Sequence, residues 1–234
     1  MQKPKHIILL GASVGKAWNI ESLPTRISQS NTSNPSNPTN PQSSVLYPNN
    51  LPGTLRLTVS QYRFEYVGEY QFDKSKTLQQ ILQRKENKPD AIFIKECAAY
   101  FPGDFQKYQE LIKSWVQQCK WAGVIPIPTT VVPVVREQSF VIKVKDLVKW
   151  ILGRSTTSSR LTAILQYNDW IKLYSEKEVL IIMDLEAPLR IGLQDRSLSL
   201  DLHAGDGLHL NEKAYSLLDK IVLPTLDEIF RRNR

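Results

Sequence analysis

The sequence predicts an α/β protein, a three-layer α/β/α sandwich around a mainly parallel sheet of five strands. Three observations lead there. Short apolar runs recur without the in-and-out alternation of a half-exposed sheet, as strands covered on both faces do. Longer stretches with apolar residues at helical spacing separate them. The first run stops abruptly in a glycine-containing turn, "HIILLGASVGKAW", within the first 18 residues.

The strands fall in order. "HIILL" (6–10) is the first, and "YRFEYVGEY" (62–70), aromatic and β-branched, is the second. "DAIFIKE" (90–96) is the third, and "GVIPIPTTVV" (123–132) the fourth, with prolines that belong at a strand end. "EVLIIMDLEA" (178–187) is the fifth. Helices are expected over 74–85, over 105–121 with Leu111, Ile112, Trp115 and Val116 on one face, and over 137–152 and 159–175. A last helix over 211–230 carries the stripe Tyr215, Leu218, Val222, Leu226 and Ile229. Pro224 inside it predicts a kink or break.

One segment breaks this alternation. "SQSNTSNPSNPTNPQSS" (28–44) has no apolar side chain to offset its ordering entropy, so 28–50 reads as a flexible surface insertion within a single domain spanning 1–234. The hydrophobic fraction of 41% and charged fraction of 23% suit such a domain. The net charge of +7 is scattered rather than clustered, and the terminal "RRNR" reads as a solvated helix end, so no nucleic-acid partner is expected. Cys97 and Cys119 fit no zinc spacing and read as buried thiols, and three dispersed histidines argue against a metal site. No apolar run approaches the roughly 18 residues of a membrane span, and the one in "MQKPKHIILLG" is too short for a signal-peptide core. A cytoplasmic protein is expected; its oligomeric state is open.

The opening turn admits three readings. A phosphate loop, G-x-x-x-x-G-K-[ST], needs glycine five residues before its Gly-Lys pair. Leu10 stands there, and Ala17 replaces the magnesium-binding hydroxyl, so that reading fails. A G-x-S-x-G nucleophile elbow follows an interior strand preceded by several others, whereas Ser13 follows the first. The third reading pairs Ser13 with a base from elsewhere. "AGDGLHLNEKAY" (204–215) supplies Asp206 and His209, three apart in a turn before the last helix, where both side chains can lie on one side. The carboxylate can then hold Nδ1–H and leave Nε2 free to take a serine proton. Strand ends of a parallel sheet collect on one rim, so the two segments can meet there.

These residues resemble the SGNH (GDSL-type) hydrolase superfamily of esterases and lipases. "ILLGASVG" looks like its first block, usually Gly-Asp-Ser, with Ala12 in place of the aspartate. "DGLHLNEKAY" is similar to its last block, "NKPDAIFI" to the strand leading into its third, and "LIIMDLEAPL" to the strand before its last. The resemblance implies a flavodoxin-like sandwich without a cofactor, acting on a small-molecule, carbohydrate or lipid ester. It implies Ser13 as nucleophile, His209 as general base and Asp206 as its orienting partner. Oxyanion donors would be the Ser13 N–H and the Gly68 N–H, although Gly68 equally suits a strand-end turn. The family's third donor is an asparagine in Gly-x-Asn-Asp. This chain reads "IKECAAYFPGD", with Cys97 at the glycine and Ala99 at the asparagine. Lys95 and Glu96 are candidate substrate contacts, with Glu96 alternatively paired to Lys95. Trp18, Trp121, Tyr100 and Phe101 are candidate pocket walls. The missing amide leaves a non-catalytic carbohydrate- or acyl-binding protein as the alternative.

Overall fold

The computed structural model describes residues 3–32, 59–136 and 157–232. Its sheet has four strands, β1 (Lys5–Gly11), β2 (Tyr62–Gly68), β3 (Ala91–Ile94) and β4 (Ile125–Pro128). They lie in the order β2-β1-β3-β4, every pair parallel. Among the described residues there are six α-helices: α1 (Ser13–Trp18), α2 (Leu23–Thr32), α3 (Ser75–Leu82), α4 (Phe105–Trp121), α5 (Thr157–Lys177) and α6 (Glu212–Arg232). Residues 28–32 complete α2 instead of starting the expected insertion; 33–50 lie outside the described residues, as does the helix expected over 137–152. Among the described residues no helix is long and apolar enough to cross a membrane.

Strand parity builds the two cores. Ile7, Leu9, Ala91 and Phe93 face a layer made by Val14 and Trp18 of α1 and by Leu218, Val222, Leu226 and Ile229 of α6. Ile8, Leu10, Ile92 and Ile94 face the other layer, with Leu78, Ile112, Trp115 and Ile164 from α3, α4 and α5. This is the predicted sandwich, and the continuous apolar runs are its cause.

The fifth strand is a correction. Residues 180–186 pair with the chain beyond β4 by one parallel bridge, Thr129 to Met183, with Met183 N–H donating to Pro128 O and Thr130 N–H to Met183 O. The prolines explain why. Ile125 and Thr129 spend their N–H groups on β3, on Asp90 O and Ile94 O. In a parallel ladder the intervening residues serve the other neighbour, and those are Pro126 and Pro128, which have no N–H. Val179, at φ 56°, is the left-handed residue that ends α5, with Leu180 N–H donating back to Ser175 O at 2.8 Å.

Pro224 does not break α6, which runs unbroken from Glu212 to Arg232. Its buried stripe continues on both sides of the proline and outweighs one lost hydrogen bond.

Asp219 of α6 joins the two ends of the chain. It accepts Trp18 Nε1–H at 2.8 Å and two guanidinium N–H groups of Arg26, each at 2.8 Å. Trp18 is 1% exposed, so its indole N–H has no water to fall back on. Asp219→Ala is expected to lower unfolding free energy by about 2–4 kcal/mol in urea, and Asp219→Asn, which keeps one acceptor, by less. Equal stability of all three proteins would refute that role.

Candidate active site

β1 ends at Gly11; Ala12, in extended backbone, precedes α1; and Ser13 is that helix's first residue, half-buried. The Ser13 Oγ lies 4.0 Å from Cys97 Sγ, which stands just beyond the end of β3. The strand ends are tightly apposed: a Cβ on Gly11 would lie 3.2 Å from Lys95 Cβ.

The 203–210 segment is closed by a His203–Leu210 bridge and by Ala204 N–H donating to His209 O at 2.8 Å. Gly205 (φ 105°) and Gly207 (φ 75°) adopt the left-handed backbone that this tight loop needs. Asp206 Oδ1 accepts the N–H groups of Leu208 and His209 at 2.9 and 2.8 Å, and Oδ2 lies 2.5 Å from His209 Nδ1. Burial works to raise the Asp206 pKa, but the His209 ring and these backbone donors prevail and hold it at about 2. An ionised carboxylate facing Nδ1 fixes the proton there and leaves Nε2 as the basic nitrogen. Among the described residues Nε2 has no hydrogen-bond partner.

The loop sits at the same end of the sheet as Ser13. Gly207 O accepts from Val135 N–H, and Val135 lies past the C-terminal end of β4. A Cβ on Gly207 would lie 2.7 Å from Val135 Cγ2, so glycine lets the loop dock there. The structure thus joins Asp206 to His209 directly and puts Ser13 on the same rim. Among the described residues no hydrogen bond links Ser13 Oγ to the imidazole.

Three sequence expectations need correction. Lys95 and Glu96 are both 0% exposed and cannot touch a substrate. Glu96 pairs with Lys74, at 2.5 Å, rather than with the Lys95 ammonium. Lys74 also donates to Phe72 O and Gln71 O, and the rings of Phe72, Tyr100 and Trp115 surround it at 5.2–5.5 Å. Lys95 lies on the opposite face of β3 and donates to Glu96 O at 3.1 Å. Of the expected pocket walls, Trp18 and Phe101 are core, and Trp121 is 79% exposed at the end of α4 that leads into β4, away from the rim.

Gly68 is the third. Glu69 N–H donates to Gly11 O, whereas Tyr66 N–H donates to Glu21 on the outer edge of β2. By strand alternation the Gly68 N–H shares the side of Tyr66, away from β1 and Ser13. Ala99 is exposed and has no side-chain amide, and beyond β3 it is Cys97 that faces the serine.

Burial pushes the Lys95 ammonium down to about 8 from its ordinary 10.5. The unfolded chain therefore binds more protons between those values, and stability rises with pH across that window. Lys95→Met is expected to be the more stable protein below pH 8, by on the order of 3 kcal/mol, with the gap closing toward pH 10. Denaturant titrations of both proteins across this range test it; a gap independent of pH would refute it.

No family model matches the sequence, and no curated protein matches it. Solved structures do. A GDSL-like lipase from Bacteroides thetaiotaomicron superposes with a TM-score of 0.60 at 13% identity, covering 98% of this chain and 93% of that one. A catalytic mutant of an acetylxylan esterase from Geobacillus stearothermophilus gives 0.58 at 13%, covering 97% and 95%. An acetyl esterase mutant with an acetate ion gives 0.53 at 14%, covering 98% and 100%. The likeness is one of fold: this chain folds as the SGNH (GDSL-type) hydrolases do.

Proposed function

We propose that the protein is a serine ester hydrolase that cleaves or transfers an acyl group through Ser13, His209 and Asp206. One observation carries this reading: a carboxylate–imidazole pair, with Nδ1 engaged at 2.5 Å and Nε2 free, on the rim that also holds Ser13. A structural Asp–His contact has no need of a free Nε2 on the rim that holds a serine turn.

Ser13 Oγ attacks the ester carbonyl carbon as its proton passes to His209 Nε2, and the carbonyl π pair moves onto oxygen. The Ser13 backbone N–H stabilises that oxyanion. Collapse breaks the bond to the leaving oxygen, which takes the proton from Nε2. Water then gives a proton to Nε2 and attacks the acyl carbon, releasing the acid and restoring Ser13; an acceptor alcohol in place of water makes the reaction a transfer. With Ala99 in place of an amide donor, turnover is expected to be lower by about 10²–10³ than in a site with the full set. The acetyl esterase and acetylxylan esterase among the similar structures support short acyl groups as the first substrates to try. The free, buried thiols of Cys97 and Cys119 suit a reducing compartment.

The missing amide also favours a second reading, a non-catalytic protein that binds an acyl or carbohydrate ligand. A p-nitrophenyl ester series, from acetate to longer chains, separates the two. Ser13→Ala and His209→Gln are expected to lose at least about 10³-fold in kcat/KM, and Asp206→Asn a comparable factor through the wrong tautomer. Equal rates for wild type and Ser13→Ala, or none for either across the series, would overturn the hydrolase reading in favour of the binding protein.

A further inference from the structure

Tyr66 reaches across from β2 to the turn that carries Ser13. Its hydroxyl lies 3.0 Å from Gly11 O and 3.1 Å from Ala12 O. The Ala12 carbonyl and the Ser13 N–H belong to one planar trans peptide, so whatever fixes the carbonyl also aims the N–H in the opposite direction. A tyrosine hydroxyl has one proton and donates to one carbonyl at a time. The two acceptors are not equivalent in their remaining support: Gly11 O also accepts from Glu69 N–H at 2.9 Å, and Ala12 O from Lys16 N–H at 3.1 Å, the first hydrogen bond of α1.

We infer that Tyr66 is a positioning residue that orients and polarises the Ala12–Ser13 peptide, so that the Ser13 N–H meets the oxyanion; the inference rests on the hydrolase reading above. With the third-strand amide absent, the direction of this one N–H carries more of the transition-state stabilisation than it would in a fuller set. The surroundings are cut to the tyrosine. A Cβ on Gly15 would lie 3.1 Å from Tyr66 Cε2, and a Cβ on Gly68 would lie 3.2 Å from its hydroxyl, so both positions have the ring and the O–H as close neighbours. Gly68, which the sequence suggests as an oxyanion donor, here leaves space for the group that aims another one. Burial, then Tyr70 and Cys97, raise the Tyr66 pKa, so the phenol keeps its proton and stays a donor.

Tyr66→Phe removes the hydroxyl and keeps the ring. Expected is a fall in kcat of about tenfold with KM within about twofold, since the loss falls on the transition state. The ¹⁵N resonance of the Ser13 amide, read without any substrate, is expected to move with the lost hydrogen bond. Replacing Tyr66 by p-aminophenylalanine restores a donor on the same ring and is expected to recover much of both effects. An unchanged Ser13 resonance, an unchanged kcat, or an amino variant no better than Tyr66→Phe would overturn the inference. Wild-type protein inert toward every ester would instead remove the hydrolase reading and the catalytic part of this one. The Ser13 resonance would then still decide whether Tyr66 holds the peptide.

Discussion

Asp219 accepts hydrogen bonds from Trp18, 201 residues away, and from Arg26. That clamp is the constraint on which the spacing of the rim depends. α1 begins at Ser13, and α6 begins three residues after His209. Each helix lies on the same face of the sheet, and its apolar stripe alone would let it slide or tilt, because hydrophobic packing is non-directional. A carboxylate that takes one indole N–H and a guanidinium fork has a defined geometry. It sets the two helices in register about a turn beyond the Ser13 end of one and two turns into the other. Segments 201 residues apart in sequence are brought together by a part-buried polar contact beside an apolar layer.

The opposite face of the rim is held by charge. Lys74 and Glu96 there, like Lys95 on the nearer face, occupy positions where apolar side chains would cost less to bury. The Lys74–Glu96 pair ties the segment before α3 to the chain beyond β3, and Tyr100 O–H adds a bond to Glu69 O at 3.4 Å. These are the two segments that flank the Ser13 turn. Among the described residues Glu96 Oε1 has no hydrogen-bond partner, and burial pushes the Glu96 pKa up against the pull of Lys74. Breaking the pair strands a charge in the interior, so neither segment can leave without a large penalty.

How far the sequence foretold this differs by element, for physical reasons. α4 was legible to the residue, since its stripe is strictly helical and Asp104 caps it by accepting Lys107 N–H. β1 and β3 were legible as continuous apolar runs. The fifth strand was not, because its own residues are as apolar as any; the deficit lies in the neighbour's prolines. The Asp206–His209 pair was legible because three residues of a tight loop determine it. Lys95 and Glu96 were misjudged because charge suggests exposure, while strand parity drives both inward, to opposite faces. Lys74, Tyr66 and Asp219 left no local signal, for Glu96, Gly11 and Trp18, which give them their roles, lie 22 to 201 residues away.

The glycines of the opening turn complete the account. In letters "GASVGK" suggests a loop in need of backbone freedom, yet neither Gly11 nor Gly15 has a positive φ; among the described residues the glycines that do are Gly123, Gly205 and Gly207. Gly11 and Gly15 answer to space instead. Gly11 lets Lys95 run under the end of β1, and Gly15 lies against the ring of Tyr66. Glycines of a strand-to-helix turn can therefore serve backbone freedom in one fold and admit neighbouring side chains in another. What separates the cases is the company of the glycine. Here it is a buried ammonium on one side of Ser13 and a neutral phenol on the other, neither of which a phosphate-binding loop would require.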